Sequence, residues 1–314
     1  MTFSLETKNE LSKLELDDKC CQLVELAALV RMNGTITISS KKVNLKFTTE
    51  NASIARRIFS IIKTFYKTEV EVMVRRNRQL KKNNNYLVVI NQGDISKEIL
   101  EDVGLIIEDE PMRQQYKIPD KLIEKRCCKR SYIRGAFLGG GSISNPEKAY
   151  HLEFVTNDED FANDLSDIVN SFELKSKVIV RKDNFVVYLK EAEQISDLLN
   201  IVGAHKALLR FEDIRVLKDV RNNINRLVNC ETANLSKTID ASMRQIEHIE
   251  IINNKIGLNR LPENLKIVAE IRLNNPDATL KEVGEMLDPP IGKSGVNHRF
   301  RKLENIAKEL QGVK

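Results

Sequence analysis

The residues best suited to chemistry lie near the end of the chain. Lys293, Ser294, Asn297, His298, Arg299, Arg301 and Lys302 fall within ten positions, and no acid interrupts them until Glu304. Arg can fork onto guanine and Asn onto adenine in the major groove, whereas Lys, Ser and His chiefly fix the phosphate register. A solvated helix face normally mixes signs, as the preceding segment does with Glu282, Glu285 and Asp288. The set therefore predicts recognition of double-stranded DNA. A second basic run, Arg75, Arg76, Arg78, Lys81 and Lys82, reads either as a phosphate contact or as a solvated hairpin tip.

The terminal set needs a rigid element to present it. Val296, Phe300, Leu303, Ile306 or Ala307, and Leu310 recur at spacings of three and four, which predicts a helix with Ser294 as its cap. Asp288-Pro-Pro-Ile-Gly292 reads as a rigid turn. Before it, Thr279 caps a short helix, Leu280 to Leu287. A further helix, Pro262 to Leu273, is broken by Asn274-Asn-Pro-Asp277. Three helices with a tight turn before the last make a helix-turn-helix, here with its core at 279–309 inside a domain spanning 236–314. Residues 219–235 read as a linker. Its Asn-rich stretch, Asn222 to Asn234, is expected to cap and pack helices or else to contact phosphates.

Bulk properties bound the rest. With 314 residues, 41% hydrophobic and 30% charged, the chain suits two or three globular domains. A net charge of +5 is too small to argue for nucleic acid without its distribution. Met1 to Asp18 lacks the apolar core of a signal or transit peptide, and no apolar run nears the roughly 18 residues of a membrane span. A cytoplasmic, nucleoid-associated protein without a membrane partner is expected. The five cysteines include two adjacent pairs, Cys20-Cys21 and Cys127-Cys128, rather than the spaced pairs of zinc sites. They read as buried reduced thiols, so no metal and no cofactor is expected.

The first two-thirds of the chain repeats itself. Leu26-Ala-Ala-Leu-Val-Arg-Met-Asn-Gly34 and Ile133-Arg-Gly-Ala-Phe-Leu-Gly-Gly-Gly141 are apolar helices with a stripe of small residues, 107 positions apart. At the same offset Cys20-Cys21 matches Cys127-Cys128 and Asn51 matches Asp158. Ile54, Ile58, Ile61 and Ile62 match Phe161, Leu165, Ile168 and Val169. Tyr86 to Ile90 matches Phe185 to Leu189 at an offset of 99, as Gly104 matches Gly203, so one hairpin loop is longer in the first copy. Each copy reads helix, hairpin, helix, hairpin, helix, with Asn51 and Asp94 as caps in the first. The copies cover 18–105 and 127–204 of a domain spanning 1–218. The fold class is α+β: duplicated αββαββα repeats about a pseudo-twofold axis, then an all-α domain.

This pattern resembles the LAGLIDADG homing-endonuclease fold, whose paired signature helices sit between two saddle-shaped sheets. In that family the last acid of each motif holds a divalent metal. The matching positions here are Asn33 and Gly140, and Arg31 replaces an earlier acid. Without paired carboxylates Mg²⁺ has no reason to shed its water, so no cleavage is expected. Glu25 and Glu153 lie nearby in sequence but lack symmetric twins. Ser142 to Tyr150, where a long strand belongs, is interrupted by Pro146.

A degenerate pair of this kind followed by a sigma-like helix-turn-helix resembles the WhiA family of bacterial transcription regulators. The likeness runs through Phe3-Ser-Leu-Glu-Thr-Lys8, Asn225-Arg-Leu-Val-Asn-Cys-Glu-Thr-Ala-Asn234 and Pro290-Ile-Gly-Lys-Ser-Gly-Val-Asn-His-Arg299. It implies a non-enzymatic DNA-binding regulator of sporulation, cell division and chromosome segregation. Other transcription or cell-division proteins are possible partners of the duplicated domain. The alternatives are an active homing endonuclease or an RNA maturase with displaced metal ligands.

Overall fold

The computed structural model describes residues 2–15, 18–39, 42–76, 84–106 and 117–312, the side chains of 38, 39 and 42 excepted. Contacts divide the chain into two units, Met1–Asp219 and Val220–Lys314.

The first unit opens with α1 (Phe3–Leu11), which buries Phe3, Thr7 and Leu11. The first repeat follows as α2 (Lys19–Asn33), β1 (Gly34–Ser39), β2 (Lys42–Thr49), α3 (Ala52–Tyr66), β3 (Glu71–Arg76), β4 (Asn84–Ile90) and α4 (Gly93–Asp102). The second is α5 (Arg126–Gly140), β5 (Gly141–Ile143), β6 (Leu152–Thr156), α6 (Glu159–Asn170), β7 (Lys177–Arg181), β8 (Asn184–Leu189) and α7 (Ala192–Val202). The two antiparallel sheets have the same strand order, β1-β2-β4-β3 and β5-β6-β8-β7. The duplication expected from the offsets is thus present element for element.

Local chemistry explains the pieces. The Asn51 side chain accepts from the N–H groups of Ser53 and Ile54, and Asp158 accepts from Phe161 at the equivalent place. Asp94 does not cap α4. Gln92 holds that position without a side-chain bond to the helix, and Asp94 sits in the first turn, where its charge still favours the positive helix end. β5 has only three residues, because the chain turns at Pro146 before it can pair further.

Two glycines bring α2 and α5 together. A Cβ on Gly135 would stand 2.5 Å from the Glu25 carbonyl oxygen and 2.9 Å from the Ala28 Cβ. One on Gly139 would stand 2.5 Å from the Met32 Cβ. No side chain fits at such separations, so the helices approach backbone to backbone, as the small-residue stripe predicts. Leu26, Ala27, Ala28, Leu29, Ile133, Ala136 and Phe137 fill the core beside them.

Helix α8 (His205–Lys255) runs without a break through residues 219–235, where a linker is expected from the sequence. Among the described residues the Asn-rich stretch therefore neither caps a helix nor enters a core. Residues 222–234 are interior helical positions with exposed side chains, which leaves contact with phosphates as the open reading. In the second unit Ile249 and Ile252 of α8 join a core with α9 (Glu263–Asn274), α10 (Leu280–Glu285) and α11 (Lys293–Gln311).

Candidate nucleic-acid interface

Helix α11 buries Val296, Phe300, Leu303 and Ala307, with Ile306 and Leu310 half-buried beside them. That leaves Ser294, Asn297, His298 and Arg301 along the opposite face, three and four residues apart. Lys293, Ser294, His298, Arg301 and Lys302 are exposed, and Asn297 is half-buried. Ser294 is not the cap: Gly292 holds that position and Ser294 lies inside the first turn, free to face outward. Arg299 differs from the rest. Its Nη1 donates to the Asn264 carbonyl at 3.3 Å, so it braces α11 against the start of α9.

The frame behind this face is tightly specified. The Thr279 hydroxyl accepts from the Glu282 N–H while the Glu282 carboxylate accepts from the Thr279 N–H, a reciprocal cap on α10. Gly284 lets the chain fold back on itself. A Cβ there would overlap the Ile291 carbonyl oxygen and touch Val296, and the Ile291 N–H donates to the Gly284 carbonyl at 3.0 Å. Among the described residues Arg272 is the largest fully buried side chain. Its guanidinium donates to the carbonyls of Asn275, Pro276 and Ala278 and to Gln245, and its carbon Cζ lies 5.4 Å from the Phe300 ring centre. One cation thereby organises α8, the turn after α9, and α11. Helical periodicity marks position 272 as inward but gives no hint that an arginine suits it; only the carbonyls of the Asn275–Ala278 turn explain it.

In the first unit Asn33 and Gly140 end α2 and α5, the places the resemblance gives to metal-binding acids. A Cβ on Gly140 would overlap the Met32 Cε and sit 3.1 Å from the Val155 carbonyl. Met32 therefore fills the room a carboxylate would need. Arg31 turns away and donates to the carbonyls of Val103 at 3.0 Å and Gly104 at 3.1 Å, which ties it to the end of α4. A cleft of ≈ 600 Å³ beside this foot is lined by Lys8, Asn51, Asn84, Tyr86 and Gly139, among others.

The two acids near the motifs have other partners. Glu25 is buried between Arg57 and Arg134. Glu153 lies on the solvent side of the second sheet. Partial burial opposes its ionisation, yet His151 at 3.1 Å and Arg181 at 3.1 Å hold the carboxyl below its usual range. In the first sheet, Arg75 pairs with Asn85 and Arg76 with Asn84, so their side chains leave opposite faces, and both are exposed. Arg78, Lys81 and Lys82 lie outside the described residues.

Comparison with known proteins agrees along nearly the whole chain. Residues 19–106 match the WhiA N-terminal LAGLIDADG-like domain, 129–221 the WhiA LAGLIDADG-like domain and 224–307 the WhiA C-terminal HTH domain. A "Probable cell division protein WhiA" of Alkaliphilus metalliredigens is 59% identical, covering 99% of each chain. A protein of the same name from Clostridium botulinum (strain Hall) is 54% identical over the full length of both. The crystal structure of full-length DUF199/WhiA from Thermatoga maritima shares 25% identity, covers 98% of this chain and 99% of that one, and superposes with a TM-score of 0.60. A duplicated fold with glycine-packed central helices, a helix-turn-helix with a basic outer face, and these three matches together place the chain in the WhiA family.

Proposed function

We propose that this protein is a sequence-specific DNA-binding regulator of transcription that does not cut DNA. The carrying observation is the outer face of α11: Ser294, Asn297, His298 and Arg301 in line, flanked by exposed Lys293 and Lys302, on a helix locked at its back. Such a helix enters the major groove, with Arg301 and Asn297 on base edges and the lysines on phosphates. Loss of cleavage is supported by Asn33, Gly140 and the Met32 side chain at the foot of the central helices. The first unit then adds phosphate contacts through residues such as Arg75 and Arg76, or holds another transcription or cell-division protein. The names of the relatives support a role in cell division; sporulation and chromosome segregation follow from the family resemblance, with action at the nucleoid.

The test is chromosome-wide mapping of bound sites for the intact protein, paired with incubation on supercoiled DNA in Mg²⁺ or Mn²⁺. Discrete sites that share a sequence, and intact DNA, are expected. Uniform coverage removes the sequence-specific reading. Metal-dependent nicking that disappears with Glu25 or Glu153 replaced restores the endonuclease reading. A preference for structured RNA supports the maturase.

A further inference from the structure

Four cysteines that DNA recognition does not use converge in the first unit. Cys20 and Cys21 are the second and third residues of α2, and Cys127 and Cys128 hold the same places in α5. The duplication brings the pairs face to face across the pseudo-twofold. The Sγ atoms of Cys20, Cys21 and Cys128 all lie within 4.8 Å of one another. Cys127 neighbours Cys21 and Cys128 neighbours Cys20, two cross-helix pairs that the duplication relates to each other.

We propose that Cys20, Cys21 and Cys128, with the adjoining, exposed Cys127 brought in as fourth ligand, form a structural site for a thiophilic divalent cation of the zinc class. A tetrahedron with Zn–S bonds of about 2.3 Å needs sulfur separations of about 3.8 Å, inside the spacing of Cys20, Cys21 and Cys128. Four sulfurs select a soft or borderline metal and exclude Mg²⁺ and Ca²⁺, which need oxygen ligands.

The surroundings suit the charge such a site carries. Neither helix has an acid in its first turn, and neither Asp18 nor Lys125, the two N-caps, makes a side-chain cap hydrogen bond. The positive ends of both helix dipoles therefore lie at the cysteine pairs and favour thiolates there, although the Cys21 N–H itself donates to the Asp18 carbonyl at 2.9 Å. Lys19 and Arg126 start the helices and add cations. Cys127 is exposed and offers the entry route.

The site ties the starts of α2 and α5 together, at the ends away from Asn33 and Gly140. Adjacent cysteines 107 residues apart do not look like a zinc motif in sequence; only the pairing of the repeats makes one.

The experiment uses the full-length protein, purified under reducing conditions with Zn²⁺ and then loaded with Co²⁺. One zinc per chain and the intense visible and thiolate-to-cobalt bands of a tetrahedral sulfur site are expected. Cys127→Ser, at an exposed position that leaves the core intact, weakens the metal by at least about tenfold, whereas Cys230→Ser changes nothing. Chelation lowers the midpoint of thermal unfolding by on the order of 5 °C or more. Two results overturn the proposal. One is a protein with all five thiols titratable and no stoichiometric metal. The other is a resting form with Cys20–Cys128 or Cys21–Cys127 disulfides, which would make the cluster a redox pair.

Discussion

Arg57 grips the carboxylate of Glu25 with two nitrogens, Nε on Oε1 and Nη2 on Oε2 at 2.8 Å, where both side chains are almost wholly shielded from water. Arg134 adds a third contact at 3.5 Å and donates through Nε to the Val202 carbonyl. Arg57 also donates to the Leu14 carbonyl at 2.6 Å. One acid thus joins α2 to α3 and α5. Glu25→Gln leaves two guanidinium groups facing a neutral amide in a dry core. We expect a loss of about 3–5 kcal/mol, read from urea denaturation of the first unit's transition. A change below about 1 kcal/mol would show that the triad is not holding the helices.

Gly284 fixes the turn that aims α11. In Gly284→Ala the new methyl meets the Ile291 carbonyl, which is backbone and cannot swing aside. The turn shifts and the outer face of α11 tilts. Specific DNA affinity should fall by at least about tenfold, with about 1–3 kcal/mol lost from the second unit. Gel shifts on a mapped site and thermal melts check both. Normal affinity with normal stability would mean the turn is slack.

Arg301 tests base reading. Arg301→Ala should cost about 1–3 kcal/mol on a cognate site and far less on random duplex. Lys302→Ala should weaken both alike and lower the salt slope by about one. Fluorescence anisotropy across a salt series separates the two cases. Equal losses for Arg301→Ala would reassign it to phosphate.

Lys8 makes stability depend on alkaline pH. Burial lowers its ammonium from 10.5 to about 8, with Nζ 5.9 Å from the Phe137 ring centre. Between those values the unfolded chain keeps a proton that the folded chain has released. Stability therefore rises with pH from about 8 to 10.5, and below 8 the cost of burying the charge is fully present. Lys8→Met should be the more stable protein at pH 7 and should lack the rise. Urea midpoints measured at half-unit pH steps for both proteins decide it.

Much of this architecture is visible in the sequence because the repeat is spelled twice. Asn51 and Asp158, or Gly104 and Gly203, with φ of 67 and 90, hold the same place in two copies. The outer face of α11 is legible for another reason: a helix with one apolar stripe leaves only one place for its cations. What stays hidden depends on partners distant in sequence. Nothing local says that Arg272 is buried on turn carbonyls, that Arg299 reaches Asn264, or that Met32 fills the space over Gly140. Asp94 and Ser294 look like caps because their residue types suit a cap, yet the helices begin one or two residues earlier. The Asn-rich stretch misleads in the same way, since a weak propensity at each residue does not stop a helix extended from both sides.

The Glu10 carboxylate accepts from the N–H groups of Lys206 and Ala207, at 2.7 and 2.9 Å, so the first helix caps the start of α8 196 residues later. Phe3 against Phe211, with centroids 6.2 Å apart, seals the same junction. Beginning and end of the duplicated unit are thus knotted into a ring. Neither half can peel away while the clasp holds, and a fragment stopped after the first half would carry Glu10 with nothing to cap. Two halves that look like separable modules are, by this fastening, obliged to melt as one.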